Sequence, residues 1–166
     1  MSAPDPIDAD EPPAIVVITR DRRMMSVVGE ELTKRYGDDY RIINCDNPAT
    51  ALSRLVELAE SSTDVALVLA GFSAEDPDGL TIMASVRSVQ PAARRGTIVN
   101  WGDFDRSQDM FDALGAGHIH LYVVRPEMLR DEEFHRVITE SLEDWALTRG
   151  GGFEAIRVIG DPRDPR

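Results

Sequence analysis

The sequence predicts a doubly wound α/β fold, with five parallel strands in the order 2-1-3-4-5 and helices on both faces of the sheet. Three observations lead to it. First, the chain contains short, wholly apolar runs, Ala14–Ile18 and Val65–Leu69. They are brief and apolar on both faces, as the buried strands of a parallel sheet are, and a loop bearing Gly, Asp and Pro follows the second of them. Second, the stretches between strands carry apolar residues at helical spacing. Third, strand and helix alternate five times within 166 residues, which calls for crossover connections and hence a parallel sheet.

The elements follow in order. Ala14–Ile18 is the first buried strand. Asp21 is placed to cap the next helix, on which Met25, Val28, Leu32 and Tyr36 mark one face. Gly37-Asp38-Asp39 breaks that helix, and Tyr40–Cys45, less apolar, suits an edge strand. Asn47-Pro48 is a cap followed by proline at the first helical position, and Ala51, Leu52, Leu55, Val56 and Ala59 form the core-facing stripe after it. The third strand, Val65–Gly71, is central. Asp78-Gly79 opens a helix with Ile82, Met83, Val86 and Val89 inward, and Pro91 ends it. Gly96–Trp101 is the fourth strand. Asp103 or Asp105 caps a helix carrying Phe104, Phe111 and Leu114, which Gly115 and Gly117 close. Ile119–Val124 is the fifth strand, ending in Arg125-Pro126. A final helix from about Glu127 to Thr148 shows Phe134, Val137, Ile138, Leu142 and Trp145 on one face. Five such units in this length fit the flavodoxin-like order.

Domain organisation follows. Residues 1–13, rich in Pro and Asp, read as a disordered acidic arm, residues 14–148 as one domain, and residues 149–166 as a glycine joint, a short strand over Phe153–Ile159 and a linker. The apolar character of Phe153–Ile159 predicts that this segment packs against a surface. Acids outnumber bases 30 to 18, for a net charge of −12. Such a balance argues against unaided binding to nucleic acid or an anionic membrane. No run is long and apolar enough to span a bilayer and no signal peptide is present, so a cytoplasmic location is expected. Cys45 is the only cysteine and reads as a small buried hydrophobe.

From Ala14 to about Thr148 the chain resembles the receiver domain of two-component response regulators. The resemblance rests on element order, on the loop reaching Asp78-Gly79-Leu80 and on Arg125-Pro126 after the fifth strand. It is closer still to the receiver-like domain that precedes a flavin-dependent thioredoxin-reductase-like enzyme in a group of actinobacterial proteins. Pro13–Val17, Arg35-Tyr36-Gly37, Pro91–Arg95, Leu142–Trp145 and Phe153–Gly160 carry that likeness. It implies a partner: a flavin-dependent reductase-like domain, in the same chain or a separate one. Homodimer formation is left open beside it. No Gly-rich dinucleotide loop and no Cys-x-x-Cys is present, so the reductase activity itself does not carry over.

Receivers use an aspartate nucleophile at the end of the third strand, an acidic pair holding Mg²⁺ after the first strand, a hydroxyl near the end of the fourth and a lysine after the fifth. Metal and cation neutralise charge on the incoming phosphoryl group. By this resemblance the nucleophile position, eight residues before Gly79, is Gly71, which has no side chain. The acidic pair becomes Thr19 and Arg20, the hydroxyl position falls on Val99 or Asn100, and the lysine position is Arg125. The resemblance therefore implies a pseudo-receiver that is not phosphorylated, holds no metal or other cofactor, has no enzymatic activity and acts by binding protein. The usual receiver interface, on the fourth helix, fifth strand and fifth helix, points to Trp101, Tyr122 and Arg125. The rival reading is a metal- or flavin-binding protein or enzyme. It would use the loop acids Glu75, Asp76, Asp78, Asp103 and Asp105 as oxygen ligands, or the arginines of the Thr19–Arg23 loop for a phosphate. His118 and His120 flank Ile119 and read as exposed residues at the strand edge.

Overall fold

A computed structural model of the protein describes residues 11–73, 76, 78–100, 108–126 and 131–149. Five strands, β1 (Ala14–Ile18), β2 (Arg41–Cys45), β3 (Val65–Gly71), β4 (Arg94–Val99) and β5 (Leu121–Val124), form one sheet in the order β2-β1-β3-β4-β5. Every pairing is parallel. The helices are α1 (Arg22–Tyr36), α2 (Pro48–Glu60), α3 in two segments (Asp78–Thr81 and Met83–Val89), α4 (Gln108–Ala116) and α5 (Glu132–Arg149). The two segments of α3 are joined by i to i+4 hydrogen bonds through Ile82, which donates to Asp78 and accepts from Val86.

Strand alternation sends side chains to two cores. On one face Val16, Val68, Ala70 and Val99 meet Leu55, Ile82, Val86 and Met110 from α2, α3 and α4. On the other Ile15, Val17, Leu67, Leu69 and Ile98 meet Val28 and Leu32 of α1 and Phe134, Ile138 and Leu142 of α5. β3 is buried over Val65–Ala70. A central strand covered on both sides has no polar face to offer, which is why it reads as one continuous apolar run.

The caps fall where the sequence puts them. Asp21 Oδ1 accepts from the Met24 N–H at 3.0 Å, and Asn47 Oδ1 accepts from the Thr50 N–H at 2.9 Å. Several details differ. On α1 the buried methionine is Met24, and Met25 is only half-buried. Both lie within a helical turn of Val28, so spacing alone does not choose between them. On α2 Leu58 is buried whereas Val56 is 40% exposed and Ala59 is exposed. Phe111 is 39% exposed and Met110 takes the core position on α4.

β4 begins at Arg94, two residues before the expected Gly96. A charged residue enters this strand because the Arg95 guanidinium donates to the carbonyls of His118 and Gly117, at 2.9 and 3.1 Å. These carbonyls lie just past the carboxyl end of α4, where cations are favoured. Gly117, at φ +82°, makes the left-handed turn there, and its N–H donates to the Leu114 carbonyl. β5 starts at Leu121 and not at Ile119, because the N–H groups of His118 and Ile119 close onto the Ala113 carbonyl. α5 starts at Glu132, where Asp131 Oδ1 caps the Phe134 N–H at 3.1 Å.

The end of the expected disordered arm is held in place. The Pro13 carbonyl accepts from the Arg41 N–H, and Glu11 accepts from the Thr63 hydroxyl at 3.1 Å. Residues 1–10, the expected helix caps Asp103 and Asp105, Phe104, the expected α5 start at Glu127 and the segment Phe153–Ile159 lie outside the described residues.

Candidate functional site

The carboxyl end of the sheet brings together Thr19 and Arg20 after β1, Gly71 at the end of β3, and Asp76, Asp78 and Gly79 in the following turn. A Cβ placed on Gly71 would lie 2.8 Å from Thr19 Oγ1 and 2.9 Å from Met24 Sδ. Thr19 is held in position from both ends. Its N–H donates to the Cys45 carbonyl, and its hydroxyl accepts from the Asp21 N–H at 3.0 Å. The space that a side chain at position 71 needs is therefore filled by Thr19 and by the methionine of α1 that faces inward. The cavity left among Thr19, Arg20, Gly71, Asp76, Asp78 and Gly79 is about 10 Å³, room for at most one water.

Gly79 shows how tightly the turn closes. A Cβ there would overlap the carbonyl oxygen of Gly71, so only glycine lets α3 begin against the end of β3.

Arg20 spans the top of this closed site. Its guanidinium donates to Asp78 Oδ2 at 2.6 Å and lies 3.5 Å from Asp76 Oδ1. The hydrogen bond to Asp78 raises the already high pKa of Arg20. The pair is half exposed, so solvent screening keeps its contribution to stability small. Its consequence is chemical: two of the loop acids that could ligate a cation already face one. Glu75, Asp103 and Asp105 lie outside the described residues, and among the described residues no three His, Cys, Asp or Glu side chains cluster as a metal site.

At the fourth-strand position Val99 is fully buried and Asn100 half-buried. Among the described residues, Asn100 Oδ1 is enclosed with no hydrogen-bond partner. Arg125 is half-buried, with its N–H donating to the Val99 carbonyl at 2.8 Å.

A second surface collects on the α4, β5 and α5 side. The Phe111 and Tyr122 rings meet edge to face, with centroids 5.7 Å apart and planes at 84°. Beside them runs a groove of about 440 Å³, lined among others by Leu114, Tyr122, Val124, Glu133, Arg136 and Val137. Trp101 lies outside the described residues. A larger and more open concavity of about 830 Å³ runs along α1 and β2 past Ser26, Gly29, Thr33 and Asn44. Its lining mixes Arg22, Lys34, Glu30 and Asp46 and does not converge on one chemistry.

One feature escaped the sequence reading. His135 on α5 is 3% exposed, and its Nε2 lies 3.0 Å from Glu31 Oε1 on α1. The Tyr36 hydroxyl donates to the His135 carbonyl at 3.1 Å and sits 2.8 Å from the Thr139 hydroxyl. Burial pushes the Tyr36 phenol up. The four side chains tie α1 to α5 across one face of the sheet. His135 follows Phe134 on the edge of the apolar stripe, a position that hints at burial, but its partners lie about a hundred residues away.

Compared with known proteins, the chain resembles solved structures of receiver domains. No protein-family model matches the sequence, and no curated protein is similar to it. The signal receiver domain of an HD-domain-containing protein from Pseudomonas fluorescens Pf-5 is similar at TM-score 0.64 and 20% identity, over 84% of this chain and 93% of that one. The beryllofluoride-activated NtrC4 receiver domain dimer is similar at TM-score 0.60 and 16% identity, over 80% and 98%. An adenylate cyclase structure from Rhodopirellula baltica is similar at TM-score 0.64 and 12% identity, over 87% and 97%. At these identities the likeness establishes the fold: this chain has the five-stranded parallel architecture of receiver domains.

Proposed function

We propose that this chain is a phosphorylation-independent pseudo-receiver, a regulatory module that works by binding another protein and not as an enzyme. The observation that carries this reading is the filled site. Thr19 Oγ1 and Met24 Sδ occupy the place that a side chain on Gly71 would need, and the depression beside them among the described residues is small, about 10 Å³. The Arg20 pairing with Asp78 and Asp76 adds to it by engaging carboxylates that a metal-binding reading would require.

The partner is a flavin-dependent thioredoxin-reductase-like domain, in the same chain or a separate one, with self-association as the alternative. The sequence resemblance supplies that identity. The aromatic pair Phe111 and Tyr122, with the groove beside it, supplies a surface suited to protein contact, since partly exposed aromatic residues are frequent anchors of interfaces. The dimer of the NtrC4 receiver domain gives the same fold a precedent for self-association.

The test is treatment with acetyl phosphate and Mg²⁺ followed by intact-mass spectrometry. The mass is expected to stay unchanged. A stoichiometric adduct that hydroxylamine removes would overturn the reading. Partner identity is tested separately by titrating the chain into a flavin-dependent reductase, where Phe111→Ser should weaken binding. Absence of binding by the parent chain would remove the reductase from the proposal and leave the pseudo-receiver reading standing.

A further inference from the structure

The outer edge of β2 is open. β2 ends the sheet, and among the described residues it pairs with β1 alone. The Arg41 N–H donates to the Pro13 carbonyl, and the Cys45 carbonyl accepts from the Thr19 N–H. Arg41, Ile43 and Cys45 therefore turn their backbone groups inward, to β1. These groups alternate along a strand, so Ile42 and Asn44 turn theirs outward. The register with β1 runs unbroken from Arg41 to Cys45. The strand holds no proline, lysine or bulge, the usual devices that keep an edge from pairing with another chain, and Arg41 is its only charge. Beside it, along α1, lies the concavity of about 830 Å³. Ile42 packs into the core that α1 covers, and the exposed Asn44 stands on the same face against Gly29. Charge sets this side of the molecule apart. Residues 20–46 hold six basic and six acidic side chains, so the net charge of −12 lies entirely in the rest of the chain. At the opposite edge α4 and α5, beside β5, carry seven acids and two arginines. Two copies of this chain repel one another at β5 and approach without that penalty at β2.

We propose that β2 is the edge at which two copies of this chain join, through antiparallel β2 strands that make the two sheets continuous. A two-fold axis beside Ile43 makes the contact isologous. Ile42 of each copy then lies opposite Asn44 of the other, and the outward N–H and C=O groups of both residues find partners. Ile42 also comes to rest against the concavity beside Asn44 of the other copy. The charges match in the same arrangement. α1 runs against the strands, since it starts after the carboxyl end of β1 and ends before the amino end of β2. Lys34 thus lies toward the amino end of the concavity and Asp46 at its carboxyl end. Antiparallel pairing carries Asp46 of each copy toward Lys34 of the other, twice over. β2 and β5 are opposite edges of the sheet. The Phe111 and Tyr122 surface stays open in such a dimer, so this inference stands apart from the identity of the partner protein.

The experiment is sedimentation velocity on the full chain from micromolar to millimolar concentration, read beside amide hydrogen exchange. A monomer–dimer equilibrium is expected, with the Ile42 and Asn44 amides exchanging more slowly as the dimer fills. Asn44→Pro removes an outward N–H and no bond to β1, at a place where an edge strand tolerates proline. It should weaken the dimer about ten-fold, since the two-fold axis loses the hydrogen bond twice. Lys34→Glu and Asp46→Lys, both at exposed positions, should each weaken it roughly five-fold, and the double variant Lys34→Glu/Asp46→Lys should restore it. Phe111→Ser should leave it unchanged. A parent that stays monomeric throughout would overturn the proposal. So would a dimer that these β2 and α1 variants leave intact, and one that Phe111→Ser weakens would place the contact at β5 instead.

Discussion

Thr19 and Gly71 sit so close across the carboxyl ends of β1 and β3 that the threonine hydroxyl is 2.8 Å from where a Cβ on the glycine would be. The two positions are coupled: the side chain missing at one is compensated by the side chain present at the other, with Met24 filling the rest. A single substitution therefore does not reopen the site.

Gly71→Asp should not restore phosphorylation. The new side chain meets Thr19 and Met24, and overpacking of this kind typically costs about 1–3 kcal/mol. The new carboxylate would also lie near Arg20, which already holds Asp78 and Asp76 and would stand in the way of a metal. Urea unfolding should show the loss of stability. Rapid Mg²⁺-dependent labelling of the variant by acetyl phosphate would mean that the remaining site is competent after all.

Gly79→Ala should be more damaging than an ordinary change from glycine to alanine at the first turn of a helix. The obstacle is the Gly71 carbonyl, a backbone atom that no rotamer change can move. A cost of about 2–3 kcal/mol is expected, within the range for overpacking. The midpoint of urea unfolding measures it. A neutral or stabilising effect would show that α3 is free to shift away from β3.

His135→Leu should cost about 3 kcal/mol, because it leaves the Glu31 carboxylate largely buried without its partner. The double variant Glu31→Met/His135→Leu should recover much of that loss, since an apolar pair leaves no charge stranded. If the two single changes simply add in the double variant, the pair is not coupled and the interpretation fails.

His120 gives the fold a pH dependence of known sign. Its folded pKa, about 4, lies below the ordinary 6.5, so between these values the unfolded chain binds more protons than the folded one. Stability should thus fall as pH drops from about 6.5 towards 4. Because the residue is exposed, screening reduces the effect. His120→Gln should flatten this part of the pH–stability curve relative to the parent, and identical slopes would refute the assignment.

Much of the architecture was legible in the chain because burial leaves a periodic trace. Val65–Ala70 reads as a central strand since both its faces are covered, and Asp21 and Asn47 mark helix starts through hydrogen bonds only three residues long. The count from Gly79 back to Gly71 likewise depends on local spacing. Where neighbouring residues satisfied one pattern equally well, as Met24 and Met25 did, spacing could not decide, and the choice fell to what lay opposite. The Arg95 strand position was hidden for a related reason. Its charge argues for a loop, and only the carbonyls of Gly117 and His118, brought alongside by the fold, make burial tolerable.

By itself, then, the sequence determined the order of the elements, the parallel sheet and the absence of a side chain at position 71, because each of these follows from local composition and period. The tertiary structure alone decided what occupies the space beside Gly71, where the Arg20 charge is spent, and that His135 meets Glu31. Those outcomes join residues far apart in the chain. Their distances are fixed by strand register and helix packing, and a one-dimensional pattern carries no record of which distant side chains close packing will bring into contact.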